Sequence, residues 1–347
     1  MGAFLDKPNT EKSNSEGVAH GSRYAVASMQ GWRLDMEDAH VVEISMSTEP
    51  PFLNWSFYAV FDGHAGSGAA HHSAENLLKT LLATQQFTKV VKKLNQAGGN
   101  LNDETLALLE EGIKCGFLTM DAKMRERSEG NEEAAKSGTT AICAIVTPTH
   151  IVLANLGDSR AIMSRKGMEP FGTEDHKPYH PKERERIVNA GGSVMIQRVN
   201  GSLAVSRAFG DFEYKAVPGL NATEQLVSPE PDIYKLKRNA DEDEFLLLAC
   251  DGVYDVMNNG ELCDFVQSRL RVTDDLSSVA NQVLDACLSK GSRDNMTVIL
   301  VCFEAAPKVD VDCVQKEESW KKWVVEQVNS FLEKATKEEC YDYDTEQ

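Results

Sequence analysis

Three apolar runs, each with the length and composition of a buried strand, are followed directly by a pair of residues that consists of an aspartate and a glycine. The runs are residues 55–61, 151–156 and 245–250, and the acids that follow them are Asp62, Asp158 and Asp251. A buried strand that ends in this way delivers a carboxylate to the edge of the core, where glycine permits the turn. Alone, each Asp-Gly pair would be an ordinary turn. Together they predict a carboxylate cluster, which is tolerable mainly when hard cations neutralise it.

Length and composition predict a globular protein with a substantial core, since the chain has 347 residues and 41% of them are hydrophobic. No run approaches the roughly eighteen apolar residues of a membrane span, and the N-terminal segment lacks the apolar core of a signal peptide. The eight cysteines show no C-x-x-C spacing that would indicate a zinc ribbon. We therefore expect a cytoplasmic or nuclear monomer.

The net charge of −18 argues against nucleic acid as a partner, because 54 acidic residues face only 36 lysines and arginines. The same surface repels phosphate esters. A phosphorylated substrate would therefore need cations or an arginine at the site in order to bind.

Strand-like and helical runs come in blocks rather than in strict alternation, which favours an antiparallel, layered α+β architecture. Helical spacing appears around residues 77–82, 106–124, 261–270 and 276–288, and the segment 86–104 resembles a surface loop. We expect three regions: a flexible N-terminal arm (residues 1–22), a main domain (23–303) and a helical extension with an acidic tail (304–347).

The C-terminal extension has an amphipathic pattern from about residue 314. Its apolar stripe consists of Trp320, Val324, Val328 and Phe331. We expect this helix to pack on the main domain, and a partner-binding helix is the alternative. The acidic tail, residues 338–347, is expected to be disordered.

Eight motifs in order resemble those of the metal-dependent type 2C Ser/Thr protein phosphatases, the PPM family. They are residues 36–38, 62–64, 137–141, 157–160, 175–178, 203–207, 251–252 and 294–296. The resemblance covers about residues 23–303, and residues 189–202 and 224–231 are similar to the animal alpha/beta subtype. It implies a central antiparallel β-sandwich flanked by helix pairs, in αββα layers.

The candidate ligands are carboxylate oxygens, without histidine or cysteine at ligand spacing, so Mg²⁺ or Mn²⁺ suits them better than Zn²⁺. Two such ions can activate a water and clamp phosphate oxygens. The resemblance implies that Asp62 bridges both ions, that the Gly63 carbonyl binds the first, and that Asp251 and Asp294 bind the second.

The remaining acids have less central roles in the family pattern. Glu37 is implied to hold a metal-bound water, with Asp38 assisting. Asp158 and Asp255 match positions that are linked to a weaker third ion.

Two further side chains are candidates for catalysis. Arg33 would bind the substrate phosphate through its fork of donors, although one arginine taken alone is more often part of a surface ion pair. His64, next but one to Asp62, would donate a proton to the leaving serine or threonine oxygen.

The resemblance predicts a phosphoprotein phosphatase, in which metal-activated water attacks the phosphorus of phosphoserine and phosphothreonine. Phosphorylated proteins, signalling kinases among them, are the expected partners. The rival hypotheses are a binding scaffold that has lost activity and another two-metal phosphoesterase, such as a nuclease.

The N-terminus resembles that of family members that carry a myristoyl group on Gly2. The usual signal has Ser or Thr at position 6, where this chain has Asp6, and a plain disordered arm is the alternative. A single acyl chain would give only weak membrane association.

Overall fold

The computed structural model describes residues 4–96 and 101–343, with residues 333–343 described by their backbone alone. Gly2, the lipidation candidate, lies outside this part of the chain, as do Gly98 and Gly99 of the predicted loop. No helix among the described residues is long and apolar enough to cross a membrane.

Two antiparallel sheets form the centre of the molecule. The first contains, in spatial order, β1 (Phe4–Ala19), β2 (Ser22–Arg33), β16 (Met296–Cys302), β15 (Asp243–Ala249), β9 (Arg160–Arg165) and β10 (Phe171–Gly172). The second contains β14 (Asp232–Lys237), β8 (His150–Leu156), β7 (Ala141–Val146), β4 (Ser56–Phe61) and β3 (Ala39–Glu43). Smaller pairings join β5 (Gly63–His64), β6 (Gly138–Thr139) and β13 (Phe209–Gly210), and also β11 (Val194–Met195) and β12 (Arg198–Val199).

Helices cover the outer face of each sheet. On the second sheet lie α1 (Gly68–Leu82), α2 (Gln85–Gln96) and α3 (Asp103–Ser128). On the first sheet lie α6 (Asp251–Tyr254), α7 (Asn259–Leu270) and α8 (Leu276–Ser289). The remaining helices are α4 (Glu132–Lys136), α5 (Pro181–Asn189) and α9 (Val311–Tyr343), with 3₁₀ turns at Phe52–Asn54 and Phe212–Lys215.

The period-two geometry of strands explains why the central runs are apolar throughout. In β4, Phe57 and Phe61 face the α1–α3 layer, whereas Tyr58 and Val60 face the other sheet. The strand β15 alternates in the same way, with Leu247 toward the helices. Both strands are thus buried on two faces. This burial requires four layers, in the order helices, sheet, sheet and helices. The predicted α+β sandwich with flanking helices is confirmed.

The N-terminal segment differs from the prediction of a flexible arm. Residues 4–19 form β1, an edge strand that pairs with β2 over most of its length. Its side chains are mostly exposed and polar, so the sequence lacks the apolar alternation that indicates a strand. Backbone hydrogen bonds to β2 hold it in place, and Lys12 forms an ion pair with Asp285 of α8.

The prediction of a surface loop over residues 86–104 was also wrong. Residues 85–96 form α2, and α3 begins at Asp103. Only Phe87, Val90 and Leu94 of α2 are buried, in a helix that is otherwise rich in lysine and glutamine. Such a narrow apolar stripe is a weak signal, and packing against α3 stabilises the helix.

The C-terminal helix does not pack on the main domain along its apolar stripe. It begins at Val311, and Glu317 forms an ion pair with Arg269 of α7. Beyond that contact Trp320 and Phe331 are more than half exposed. The helix continues to Tyr343, so residues 338–343 are helical where disorder was predicted, and residues 344–347 lie outside the described part of the chain.

Candidate metal centre

Antiparallel pairing brings the predicted site residues to one end of the sandwich. Asp62 follows the end of β4, and Asp38 lies beside it because β3 runs antiparallel to β4. Asp251 lies just beyond the end of β15. Asp294 precedes β16, the antiparallel neighbour of both β15 and β2, so it lies close to Asp251 and to Arg33 at the end of β2. Pairing therefore assembles the cluster from distant parts of the sequence.

A cleft of about 540 Å³ opens at this end of the sandwich. Eight of the predicted site residues line it: Arg33, Asp62, Gly63, His64, Asp158, Asp251, Asp255 and Asp294. Glu37 and Asp38 are not among the lining residues, but Asp38 lies directly behind Asp62. The cleft also contains Lys177 and Arg198, which the sequence analysis did not single out.

Carboxylate oxygens of Asp62, Asp158 and Asp251 lie within 4.8 Å of one another, a spacing that suits a shared cation. Burial, together with repulsion from Asp251 and other acids, raises the pKa of Asp62 well above its usual value. Burial also raises the pKa of Asp251, with Asp158 and Asp294 adding to the effect. In the absence of a cation, burial and mutual repulsion thus disfavour the ionised forms of these carboxyl groups. Bound divalent ions would offset both effects.

Asp38 gives independent support for a cation at this place. Its Oδ2 accepts a hydrogen bond of 2.7 Å from the Thr297 hydroxyl, whereas its Oδ1 is buried and has no hydrogen-bond partner. Burial raises the pKa of Asp38 to about 6. A buried, unsatisfied carboxylate oxygen next to Asp62 fits a hard metal ion and its bound water.

Asn295 ties the end of β2, which carries Arg33, to the loop that carries Glu37, a role that the sequence analysis missed. Its Oδ1 accepts from the Glu37 amide at 2.8 Å, and its Nδ2 donates to the carbonyls of Gln30 and Asp35 at 2.9 and 3.0 Å. One buried amide thus satisfies three backbone groups. The Asp-Asn dipeptide was the available signal, but nothing in the sequence indicates which backbone the amide contacts.

Glu37 lies near the metal ligands but points toward a neighbouring turn. Its Oε1 accepts from the Gly66 amide at 2.5 Å. The Glu37 carbonyl packs so closely on Gly63 that a side chain at position 63 would collide with it. This contact explains why glycine follows Asp62 here, in addition to its value in a turn.

Arg33 forms an ion pair with Asp294, with 2.5 Å between Nη2 and Oδ2. The arginine side chain is 38% exposed and lines the cleft. The pairing partner is one of the predicted metal ligands. One edge of the guanidinium is thus anchored beside the cluster, and the planar group retains further donors for a phosphate.

His64 lies against Asp211, a residue that the sequence analysis did not consider. The distance from His64 Nε2 to Asp211 Oδ2 is 2.8 Å, and Asp211 is buried. Burial alone would lower the pKa of His64, but the charge and hydrogen bond of Asp211 outweigh burial and raise it. The carboxylate therefore favours the protonated imidazole that a proton donor requires.

Asp158 contacts Lys177, with 2.5 Å between Oδ2 and the ammonium nitrogen. Asp255 lies at the rim, one helical turn beyond Asp251, and partial burial of its carboxyl group raises its pKa. The structure thus brings both candidates for a third ion, and Lys177 with them, into the same cleft as the main cluster.

Comparison with known proteins identifies the family. The model of the family described as protein phosphatase 2C matches residues 22–296, a range that includes every carboxylate of the cleft. The chain belongs to the protein phosphatase 2C family. It is 55% identical over 341 residues to protein phosphatase ppm-1.A of Caenorhabditis elegans, covering 98% of this chain and 72% of that protein.

Other relatives agree with this assignment. The chain is 51% identical to mouse protein phosphatase 1B, covering 97% of this chain and 85% of the relative. Its fold is similar to the crystal structure of a phosphatase from a pathogenic strain of Toxoplasma gondii, with a TM-score of 0.69 and 27% identity over 85% of this chain and 96% of that one. The similarity to the alpha/beta subtype of protein phosphatase 2C is confirmed.

The repulsion among the carboxylates predicts that Asp251→Asn changes the stability of the fold in opposite directions with and without bound metal. In chelator, Asp251→Asn removes a buried negative charge, so we expect the free energy of unfolding to rise by about 1 kcal/mol or more. With saturating Mn²⁺ the same variant loses a ligand and should be less stable than the wild type. Denaturant unfolding in EDTA and in Mn²⁺ measures both.

Asp241→Asn is the matched control, because Asp241 is an exposed aspartate in a turn. It should change stability little under either condition. A loss of stability for Asp251→Asn in chelator would contradict the electrostatic account of the cluster.

Proposed function

We propose that this metal-dependent protein phosphatase acts through two Mg²⁺ or Mn²⁺ ions bound at the carboxylates of the cleft. The chain hydrolyses phosphoserine and phosphothreonine in proteins, as its family membership and relatives show. The observation that carries the metal site is the convergence of Asp62, Asp158 and Asp251, whose oxygens lie within 4.8 Å of one another.

The two ions would be held by four groups. Asp62 would bridge both ions, the Gly63 carbonyl would bind the first, and Asp251 with Asp294 would bind the second. When bound, the ions supply an activated water and positive charge for the phosphate oxygens. The carboxylates would hold the ions at the ends of β4 and β15, where the buried strands fix the positions of Asp62 and Asp251.

The outer acids support this arrangement. Glu37 would orient water beside the ions, since it lies in the loop that Asn295 holds. Asp38 would accept from Thr297 on one oxygen and direct its unpartnered oxygen toward the site. Asp158 and Asp255 would contribute to a weaker third ion.

Arg33 and His64 act on the substrate in this proposal. Arg33 would bind the phosphate oxygens with the donors that its Asp294 contact leaves free, and so place the phosphorus above the cluster. His64 would give its proton to the leaving serine or threonine oxygen. The Asp211 contact occupies Nε2, so the other ring nitrogen, Nδ1, would face the substrate.

We propose phosphorylated signalling proteins, protein kinases among them, as the substrates of a cytoplasmic and nuclear monomer.

Two rival functions are less well supported. An inactive scaffold would not need a complete set of acids with Arg33 and His64, and a nuclease would have to draw its polyanionic substrate toward a chain with a net charge of −18.

The proposed metal site is tested by turnover of a phosphothreonine peptide with Mg²⁺, with Mn²⁺ and with chelator. We expect activity with either ion and none after complete metal removal. Asp62→Asn should abolish metal-supported turnover, because it removes the charge shared by both ions, whereas Asp241→Asn should retain it. Activity that survives chelation would refute the mechanism, and cleavage of a dinucleotide in preference to the peptide would favour the nuclease.

The role of His64 predicts a dependence on the leaving group. For His64→Gln we expect kcat on an alkyl phosphate to fall roughly a hundredfold or more, the range for lost general acid catalysis. A p-nitrophenyl ester needs less protonation of its leaving oxygen and should lose less. Equal losses on the two substrates would show that His64 has another role.

We also propose that Gly2 carries a myristoyl group that gives weak, reversible membrane association. The intact mass of protein made together with a myristoyltransferase and myristate tests this. The wild type should gain one acyl mass and Gly2→Ala none. An unmodified wild type would end the hypothesis, and a modified Gly2→Ala would place the acyl group elsewhere.

A further inference from the structure

A buried lysine contact occupies one of the carboxylates of the cleft. The Lys177 ammonium lies 2.5 Å from Asp158 Oδ2, and only 23% of the Lys177 side chain is exposed. The Asp158 side chain itself is 4% exposed. Asp158 also belongs to the group of oxygens that lie within 4.8 Å of one another around Asp62 and Asp251. One and the same carboxylate is therefore available to a metal ion and to a lysine.

The contact is built into the fold, because the two segments that carry it are joined on both sides. The Gly157 amide donates to His176 Nδ1 at 3.0 Å, and the His176 amide donates to the Gly157 carbonyl at 2.9 Å. Three residues after Gly157, Arg160 donates through Nε and Nη2 to both oxygens of Asp175, the residue before His176, at 3.0 Å each. These links hold the Lys177 backbone beside Asp158 whether or not the ammonium remains on the carboxylate.

The charge of Lys177 acts on three aspartates that line the cleft, Asp158, Asp251 and Asp255. Burial alone would lower the pKa of Lys177, but Asp158, with Asp251 and Asp175, raises it above its usual value. In return, Lys177 counteracts the raised pKa of Asp251 and of Asp255. The ammonium thus supplies the positive charge that a third divalent ion would supply at the same acids.

We propose that Lys177 is an internal cation at the third-ion site, so that a third divalent ion binds only by displacing its ammonium from Asp158. This inference rests on the proposed metal centre and concerns its weakest ion alone. In the proposed metal centre the two tighter ions are assigned to Asp62, Gly63, Asp251 and Asp294, so Asp158 is left to the third. The third requires Asp158 to exchange a monovalent ammonium for a hard divalent cation, which repels that ammonium at close range.

Mn²⁺ binding followed by electron paramagnetic resonance tests the competition, because the signal of free Mn²⁺ counts bound ions without reference to activity. The wild type should bind two ions tightly and a third weakly. In Lys177→Met the third should tighten about tenfold or more, since the competing charge is gone. Asp158→Asn, alone or combined with Lys177→Met, should lose the weak phase.

Lys182→Met is the matched control, because it removes the same charge from a lysine that is 78% exposed. It should leave the weak phase of Mn²⁺ binding unchanged. A third ion that binds Lys177→Met no more tightly than it binds the wild type would overturn the inference, as would equal tightening in Lys182→Met. A wild type that binds no Mn²⁺ would refute the proposed metal centre as well.

A second measurement on the wild type covers the case in which Lys177→Met fails to fold. The side-chain nitrogen resonance of Lys177, assigned by comparison with Lys177→Arg, reports the contact with Asp158 directly. We expect it to shift only at the Mg²⁺ concentrations of the weak phase. A resonance that stays unchanged up to saturation of the third ion would show that the ammonium is not displaced, and the inference would be wrong.

Discussion

The repulsion among carboxylates at one end of the sandwich is the constraint to which the site is adapted. Asp62 and Asp251 are placed there by strands that are buried on both faces, so neither can move away to relieve the repulsion. The surroundings offer partial compensation. Arg33 contacts Asp294, and Lys177 contacts Asp158. Both are monovalent cations at the margin of the cluster, and the centre keeps its excess of negative charge for divalent ions.

The loops of the site are held by side chains that touch no predicted ligand atom of the cluster. Asn295 satisfies three backbone groups, one in β2 near Arg33 and two in the loop that leads to Glu37. His176 performs a similar task for the turn at Gly157, and buried Asp211 fixes the ring of His64. Precise placement of reacting groups depends on such supporting contacts, because loops alone are mobile. These contacts therefore fix the irregular segments of the site relative to the strands of the sandwich.

The sequence predicted the centre of this molecule better than its margins, for a physical reason. The runs at residues 57–61 of β4 and 245–249 of β15 are apolar because both faces of these strands are buried, and the positions of Asp62 and Asp251 beyond their ends could be predicted from that pattern. Strand β1 is stabilised by pairing with β2, and helix α2 by a narrow stripe of apolar side chains. Neither therefore has a strong hydrophobic periodicity in its sequence. For α9 the error was the reverse. An apolar stripe predicted packing on the main domain, but Trp320 is exposed, because the stripe alone does not show which surface covers it.

Contacts such as His64 with Asp211, or Lys177 with Asp158, could not be predicted from spacing, since the partners come from separate segments. Their charges nevertheless matter for what the cleft can bind. Five aspartates line it against Arg33, Lys177, Arg198 and the ring of His64, so that without metal the acids outnumber the cationic groups and the cleft disfavours a phosphate dianion. Two divalent ions would reverse the sign of the cleft while the rest of the surface stays acidic. Metal loading would then admit the phosphate by charge alone, before any catalytic group acts, in a chain whose net charge of −18 otherwise keeps phosphate esters away.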